Sequence, residues 1–224
     1  MKRKSCSTSY AGAKKAKYGK AVRLYRNPVS YGKLERSAVY HESITNGSLY
    51  PFGLHFNANG FYVGSVGIAW IGNSDIYSAY DAYRLDKVMV QFSYNNNSAN
   101  VSGIAETLPD IYTAVDYDSA SVLTIADVLS RDGSRLDNFG ENGGKKVIRT
   151  FAPKVAPLAY ATTTSSGYLE PKAGQWVASP AGFTDVQHYG LLALVDSSQQ
   201  IATTGTNGVL TMFVRAWFSL KHSN

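Results

Sequence analysis

The run at residues 209–220, VLTMFVRAWFSL, constrains the fold more than any other stretch of the chain. Every second residue from Leu210 is apolar: Leu210, Met212, Val214, Ala216, Phe218 and Leu220. The alternate set, Val209, Thr211, Phe213, Arg215, Trp217 and Ser219, is mixed. Side chains on a strand alternate between faces, so the pattern predicts a strand with one face on a core. A helix would scatter Arg215 and Ser219 among apolar neighbours, and Val, Phe, Trp and Thr suit a pleated surface better. The run is expected to be a central strand of an antiparallel all-β domain.

Further strands are expected at 39–44, 61–71, 85–94, 110–118, 146–151, 175–178 and 188–195. In the third, Val88, Val90, Phe92 and Tyr94 alternate with Lys87, Met89, Gln91 and Ser93. In the fourth, Ile111, Val115 and Tyr117 share a side. Two short helices are expected. Ser74 can cap one in which Ile76, Tyr80 and Tyr83 share a face. Thr124 with Asp127 makes a capping-box start for the other, at 125–130, before a turn at Asp132-Gly133. Polar loops fill 95–103, 162–167 and 197–208. Eight strands with long connections suit a single eight-stranded antiparallel jelly roll, two packed four-stranded sheets. No repeat that would build a propeller or solenoid is present, and 224 residues suffice for one domain with a sizeable core.

The net charge of +6 conceals a sharp division. Residues 1–36 hold Lys2, Arg3, Lys4, Lys14, Lys15, Lys17, Lys20, Arg23, Arg26, Lys33 and Arg36 against one acid, Glu35, a net +10. Residues 37–224 carry −4. The basic segment has no apolar periodicity to offset its ordering entropy, so a disordered arm is expected at 1–36 ahead of a shell-like domain at 37–224. A cationic arm on a mildly acidic body signals a polyanionic partner, the alternative being a solubilising tail. Tyr10, Tyr18, Tyr25 and Tyr31 are interleaved with the cations. Rings for unpaired bases beside cations for phosphates suit single strands, and no groove-reading motif is present, so binding should be independent of base sequence. Lys2, Arg3 and Lys4, then Lys14, Lys15 and Lys17, also form a bipartite nuclear localisation pattern.

Catalytic and metal motifs are otherwise sparse. His41, His55, His188 and His222 lie far apart without ligand spacing, which favours surface or sheet-packing roles. No GxSxG elbow occurs, and GENGGKK at 140–146 lacks the spacing of a phosphate-binding loop. No catalytic residue and no cofactor is expected. Asp116 and Asp118, two apart on a strand, are the one weak metal candidate. The lone cysteine, Cys6, excludes an intramolecular disulfide, and no apolar run approaches the length of a membrane span. No apolar segment follows the basic N-terminus, so no secretory signal is expected, and the sequons at Asn46, Asn96 and Asn100 should be unmodified.

Three stretches, taken in order, resemble the capsid proteins of circular single-stranded DNA viruses, the circovirus-like group. YDAYRLDKVMVQFSY at 80–94 is similar to the aromatic-then-basic lead into a capsid strand. LPDIYTAVDYDSA at 108–120 resembles a proline-led strand ending in an Asp-rich turn, and KKVIRTFAPKV at 145–155 resembles the basic strand that follows it. The arm departs from the pattern in being Lys-rich and mixed with Ser, Gly and Tyr, where circovirus arms are often nearly continuous Arg. The resemblance implies a non-enzymatic subunit of a closed icosahedral shell of sixty identical copies (T=1), packaging a single-stranded DNA genome on its arm. It also implies host nuclear-import factors and a host cell-surface receptor as further partners, with the protein in the virion and, during assembly, the nucleus. A coat protein of a small RNA satellite virus, a cellular nucleic-acid-binding β-domain with a basic tail, and a sugar-binding or cupin-like enzyme domain are the alternatives that the residues themselves leave open.

Overall fold

The computed structural model describes residues 29–45, 47–72, 80–96, 108–117, 124–140, 146–155, 158–161, 166–168, 172–178, 186–198 and 207–223. In chain order these form β1 (Val29–Thr45), β2 (Leu49–Phe56), β3 (Gly60–Val63), β4 (Val66–Ala69), β5 (Ala82–Asn96), β6 (Asp110–Ala114), α1 (Ile125–Leu129), β7 (Arg135–Asn138) and β8 (Val147–Phe151). There follow β9 (Lys154–Val155), β10 (Leu158–Ala161), β11 (Ser166–Tyr168), β12 (Lys172–Ala173), β13 (Val177–Ala178), β14 (His188–Asp196) and β15 (Asn207–Ser223).

One sheet has the order β1–β15–β5, with β8 and β13 set end to end along the far edge of β5. The other is built on β14, with β2, β3 and β4 on one side, and β6 with β7, then β9 with β12, on the other. Every pairing is antiparallel. β10 and β11 form a separate hairpin.

The apolar register of the last strand is the heart of the core. Leu210, Met212, Val214, Ala216, Phe218 and Leu220 are all within 2% of complete burial. They join Leu85, Val88, Val90 and Phe92 of β5 in one cluster with Leu54, Phe56, Ile111, Leu191, Ala193 and Val195 of the facing sheet. Each large side chain so buried stabilises the fold by about 2 kcal/mol. Phe56 meets Phe151, and Trp70 meets Phe218, across the interface between sheets. Two facing antiparallel sheets around one apolar layer make the jelly roll expected from the sequence.

The sheets are larger than two sets of four because short edge strands extend them. The strands β9, β12 and β13 are two residues each, too short to leave an alternation. The stretch 61–71, expected as one strand, is the hairpin β3–β4, with Gly64 at φ 59° in its turn, a conformation that glycine adopts without strain. The sequence pattern does not predict β2, because Pro51 and Gly53 interrupt it. Pro51 is tolerated since β3 pairs only with Leu54 to Phe56, which leaves that edge of β2 free at the proline. The helix expected after Ser74 falls at residues 73–79, outside those described, and Tyr83, assigned to its face, is instead buried in β5. α1 forms as expected: Thr124 accepts from the Asp127 backbone N–H while the Asp127 carboxylate accepts from that of Thr124. Its Val128 packs on Ala114, Leu192 and Leu194 and so covers part of the second sheet's outer face.

Candidate nucleic-acid interface

Residues 29–36, expected as the end of a disordered arm, lie in a strand. β1 starts at Val29 and pairs over its whole length with β15, from Val29 opposite Ser223 to Thr45 opposite Asn207. The N-terminal half of β1 lacks an apolar alternation of its own because its inner face there presents Gly32, Leu34 and Arg36 at a sheet edge. The strand forms because β15, a long and well-buried neighbour, supplies the ladder.

The mixed register of β15 defines the outer face of this sheet. Phe213, Arg215, Trp217 and Ser219 lie beside Val39, Ser37, Glu35 and Lys33 of β1. On the other side they lie beside Gln91, Met89, Lys87 and Arg84 of β5. The β5–β15 register shifts between Trp217 and Phe218, so Asp86 is an extra residue and both Asp86 and Lys87 emerge on the outer side. The bulge concentrates polar groups. Asp86 accepts from Lys33 at 2.9 Å, from Arg84 at 2.5 Å and from Ser219 at 2.5 Å. Burial pushes the Asp86 carboxyl up, but the hydrogen bonds from Ser219, Lys33 and Arg84 prevail and hold it below its ordinary value.

Around this network, cations sit over rings. Lys87 Nζ lies 4.9 Å from the Trp217 ring, and Arg84 lies 4.9 Å from Trp176, which follows β12. Arg215 lies 5.5 Å from Phe213 and 6.0 Å from Trp217 and pairs with Glu35 at 3.2 Å. Glu35 also accepts from the Trp217 indole at 2.9 Å. Tyr31, 69% exposed, approaches Trp176 with ring centroids 6.1 Å apart. Lys33, Arg84, Lys87, Arg215 and Lys221 thus face Glu35 and Asp86, five cations against two carboxylates.

Of the residues singled out in the sequence, Lys2, Arg3, Lys4, Lys14, Lys15, Lys17, Tyr18, Lys20, Arg23, Tyr25 and Arg26 lie outside the described residues. Lys33 stands on the outer face, bonded to Asp86 and Ser219. Arg36 turns to the opposite face, half-buried, and is separated from Lys33 by the sheet. The two are therefore part of a strand rather than of a free arm. β6 ends at Ala114, so Asp116, expected on the strand, lies beyond it. Asp116 is buried and paired with Arg131 at 3.3 Å, and Asp118 lies outside the described residues. Among the described residues no group of three or more His, Cys, Asp or Glu is arranged to hold a metal ion. The histidines pack or pair: His41 with Thr211, His55 stacked on Tyr62, His188 in the core and His222 beside Asp81. Sequence reasoning missed Arg84, Lys87, Trp176, Phe213 and Trp217 as a group. The spacing of Phe213, Arg215 and Trp217 signals one aromatic-cationic face, but the partners on β5 depend on the bulge.

The family model for the circovirus capsid protein matches residues 20–224, and the chain belongs to that family. It is accordingly a structural protein of the virion. The BFDV capsid protein in its 60-mer has the same fold, with a TM-score of 0.57 at 12% identity, covering 89% of this chain and 97% of that one. The decameric BFDV capsid protein matches with a TM-score of 0.51 at 12% identity, covering 85% and 99%. No curated protein matches the chain in sequence.

Proposed function

We propose that sixty copies of this chain close into a T=1 icosahedral shell around a circular single-stranded DNA, with the basic segment ahead of β1 as the genome anchor. The observation that carries this reading is the family match over residues 20–224, supported by the likeness to a capsid subunit that forms a 60-mer. Because β1 starts at Val29, we place the arm at 1–28 and the shell domain at 29–224. Residues 1–28 hold nine cations and no acid, so sixty arms would bring about 540 positive charges inside one shell. Binding by counterion release falls steeply with salt and is indifferent to base sequence, while the tyrosines add stacking that favours single strands. The clusters Lys2–Lys4 and Lys14–Lys17 would also engage nuclear-import factors before assembly.

The test is to purify particles of the full-length protein and digest the released nucleic acid with DNase or RNase. Titrations with single-stranded DNA at several salt concentrations accompany it. DNase-sensitive cargo, and a steep salt slope that flattens when Lys14, Lys15, Lys17 and Lys20 become Gln, support the reading. RNase-sensitive cargo would assign an RNA genome, and an unchanged slope would move the anchor away from the arm.

A further inference from the structure

We propose that the outer face of the β3–β4 hairpin is a sugar site, in which a neutral galactose-type pyranose lays its C–H face on the Tyr62 ring and turns its hydroxyls to Asn59 and the edge of β4. That the site opens to the outside of a particle rests on the reading of the chain as a capsid subunit. The basic segment joins the first sheet at Val29, so with the arm inside a closed shell the second sheet's outer face is turned from the genome.

Shape is the first argument. Asn59, Gly60, Tyr62, Gly67, Ile68 and Ala69 line a depression of about 210 Å³. Gly60 stands opposite Ala69, and Tyr62 opposite Gly67, all on one face, while Phe61 and Ile68 turn to the core. Three of the four outward positions carry only a hydrogen or a methyl group, so the floor is backbone and the wall is one ring. The volume lies below the ~300–1,000 Å³ of drug-sized sites, which suits a single sugar ring.

The wall is fixed before any ligand arrives. Tyr62 stacks on His55 of β2 with centroids 4.7 Å apart and planes 7° from parallel. A Cβ at residue 67 would sit 2.8 Å from Tyr62 Cε1, and one at residue 60 would sit 2.2 Å from the Ile68 carbonyl oxygen. Both positions therefore need glycine. Asn57 is buried, and its Oδ1 accepts from the backbone N–H of Asn59 and of Gly60 at 2.9 Å each. Its carbonyl accepts from the Trp70 indole at 3.1 Å. A preformed site loses little ordering entropy on binding.

Chemistry selects the ligand. None of the six lining residues is charged, so a sulfated, sialylated or phosphorylated group would meet no counter-charge there. The polar groups are the Asn59 side chain and the backbone of β4. Among the described residues β4 is the last strand on its side of the sheet. The Trp70 N–H donates to the Asn59 carbonyl, which sets the ladder so that Gly67 and Ala69 turn their N–H and C=O to the outer edge. An aromatic wall beside an amide and open backbone groups matches a molecule that is apolar on one face and hydroxylated around its rim. Among hexoses the galactose configuration places H3, H4 and H5 together on one such face.

The experiment uses particles of the full-length protein with methyl β-D-galactoside as the probe, read by saturation-transfer NMR. Tyr62→Ala removes the wall, and Ala69→Leu fills the depression from an exposed position that should not disturb folding. Thermal midpoints and particle mass are measured for each variant. Transfer should be strongest at H3, H4 and H5, weaken roughly tenfold in apparent affinity with Tyr62→Ala, and vanish with Ala69→Leu. No transfer to the unaltered particles, or equal transfer to Ala69→Leu particles, overturns the inference and leaves the shell reading intact. Transfer to dissociated subunits but not to particles makes the hairpin a contact between subunits and also overturns it. Binding that Ala69→Leu abolishes in a protein that forms no particles supports the site and overturns the shell reading.

Discussion

Lys33 Nζ on β1 donates to Asp86 Oδ2 on β5 at 2.9 Å, reaching over the intervening strand β15, whose Ser219 hydroxyl bonds to both side chains. The bond ties the first strand of the sheet to the third. Replacing Asp86 by Asn should cost about 1 kcal/mol in urea unfolding, since the network is half-exposed and screened. Because folding lowers the Asp86 pKa, its contribution is present above the ordinary carboxyl value of 3.8 and fades as pH falls through the folded value. A Lys33→Ala, Asp86→Asn cycle with no coupling energy would show that the two residues act independently.

The start of β1 makes a sharp truncation prediction. A chain beginning at Val29 keeps every β1–β15 pair, whereas one beginning at Ser37 loses those from Val29–Ser223 to Arg36–Ala216 and exposes that edge of β15. The shorter chain should lose several kcal/mol of stability and much of its soluble yield. Equal thermal midpoints for the two would mean that residues 29–36 contribute nothing to the fold.

Gly190 on β14 is required by Phe151 rather than by its backbone. A Cβ placed there would sit 2.3 Å from Phe151 Cε2 and 2.7 Å from Cδ2. Gly190→Ala should destabilise by roughly 1–3 kcal/mol, the usual range for overpacking. Combining it with Phe151→Leu should recover part of that loss, because the two changes share one volume. Strictly additive losses would place the strain elsewhere.

His188 gives the fold an acid limit. It is 2% exposed, its Nδ1–H donates to the Val186 carbonyl at 2.9 Å, and burial, against backbone hydrogen bonds that favour the charged ring, pushes its pKa down to about 4. Between pH 6.5 and about 4 the unfolded chain takes up a proton that the folded chain refuses, so stability falls as pH falls through that window. The full loss is roughly 3 kcal/mol and levels off below it. Unfolding free energies across this range should show a slope that His188→Leu removes. The same slope in both proteins would assign the acid sensitivity to other groups.

The legible parts of the sequence were those whose physics is local. The alternation in β15 reports burial residue by residue, and all six stripe residues lie in the core. The Thr124–Asp127 cap lies within a single turn, and α1 starts where it says. The N-terminal half of β1 reads as arm in the sequence because Lys33, Glu35 and Arg36 mask a strand that forms through its pairing with β15. The bulge at Asp86 is likewise a property of two strands, so the grouping of Lys33, Arg84 and Ser219 around one carboxylate had no sequence signature.

The central claim is that this jelly roll closes into a shell. The most direct measurement is the mass of the full-length protein at micromolar concentration and neutral pH, by sedimentation velocity or single-particle mass photometry. Sixty subunits of 24.3 kDa predict a particle near 1.46 MDa, before any bound nucleic acid. A single species at 24.3 kDa across the concentration range would contradict the account.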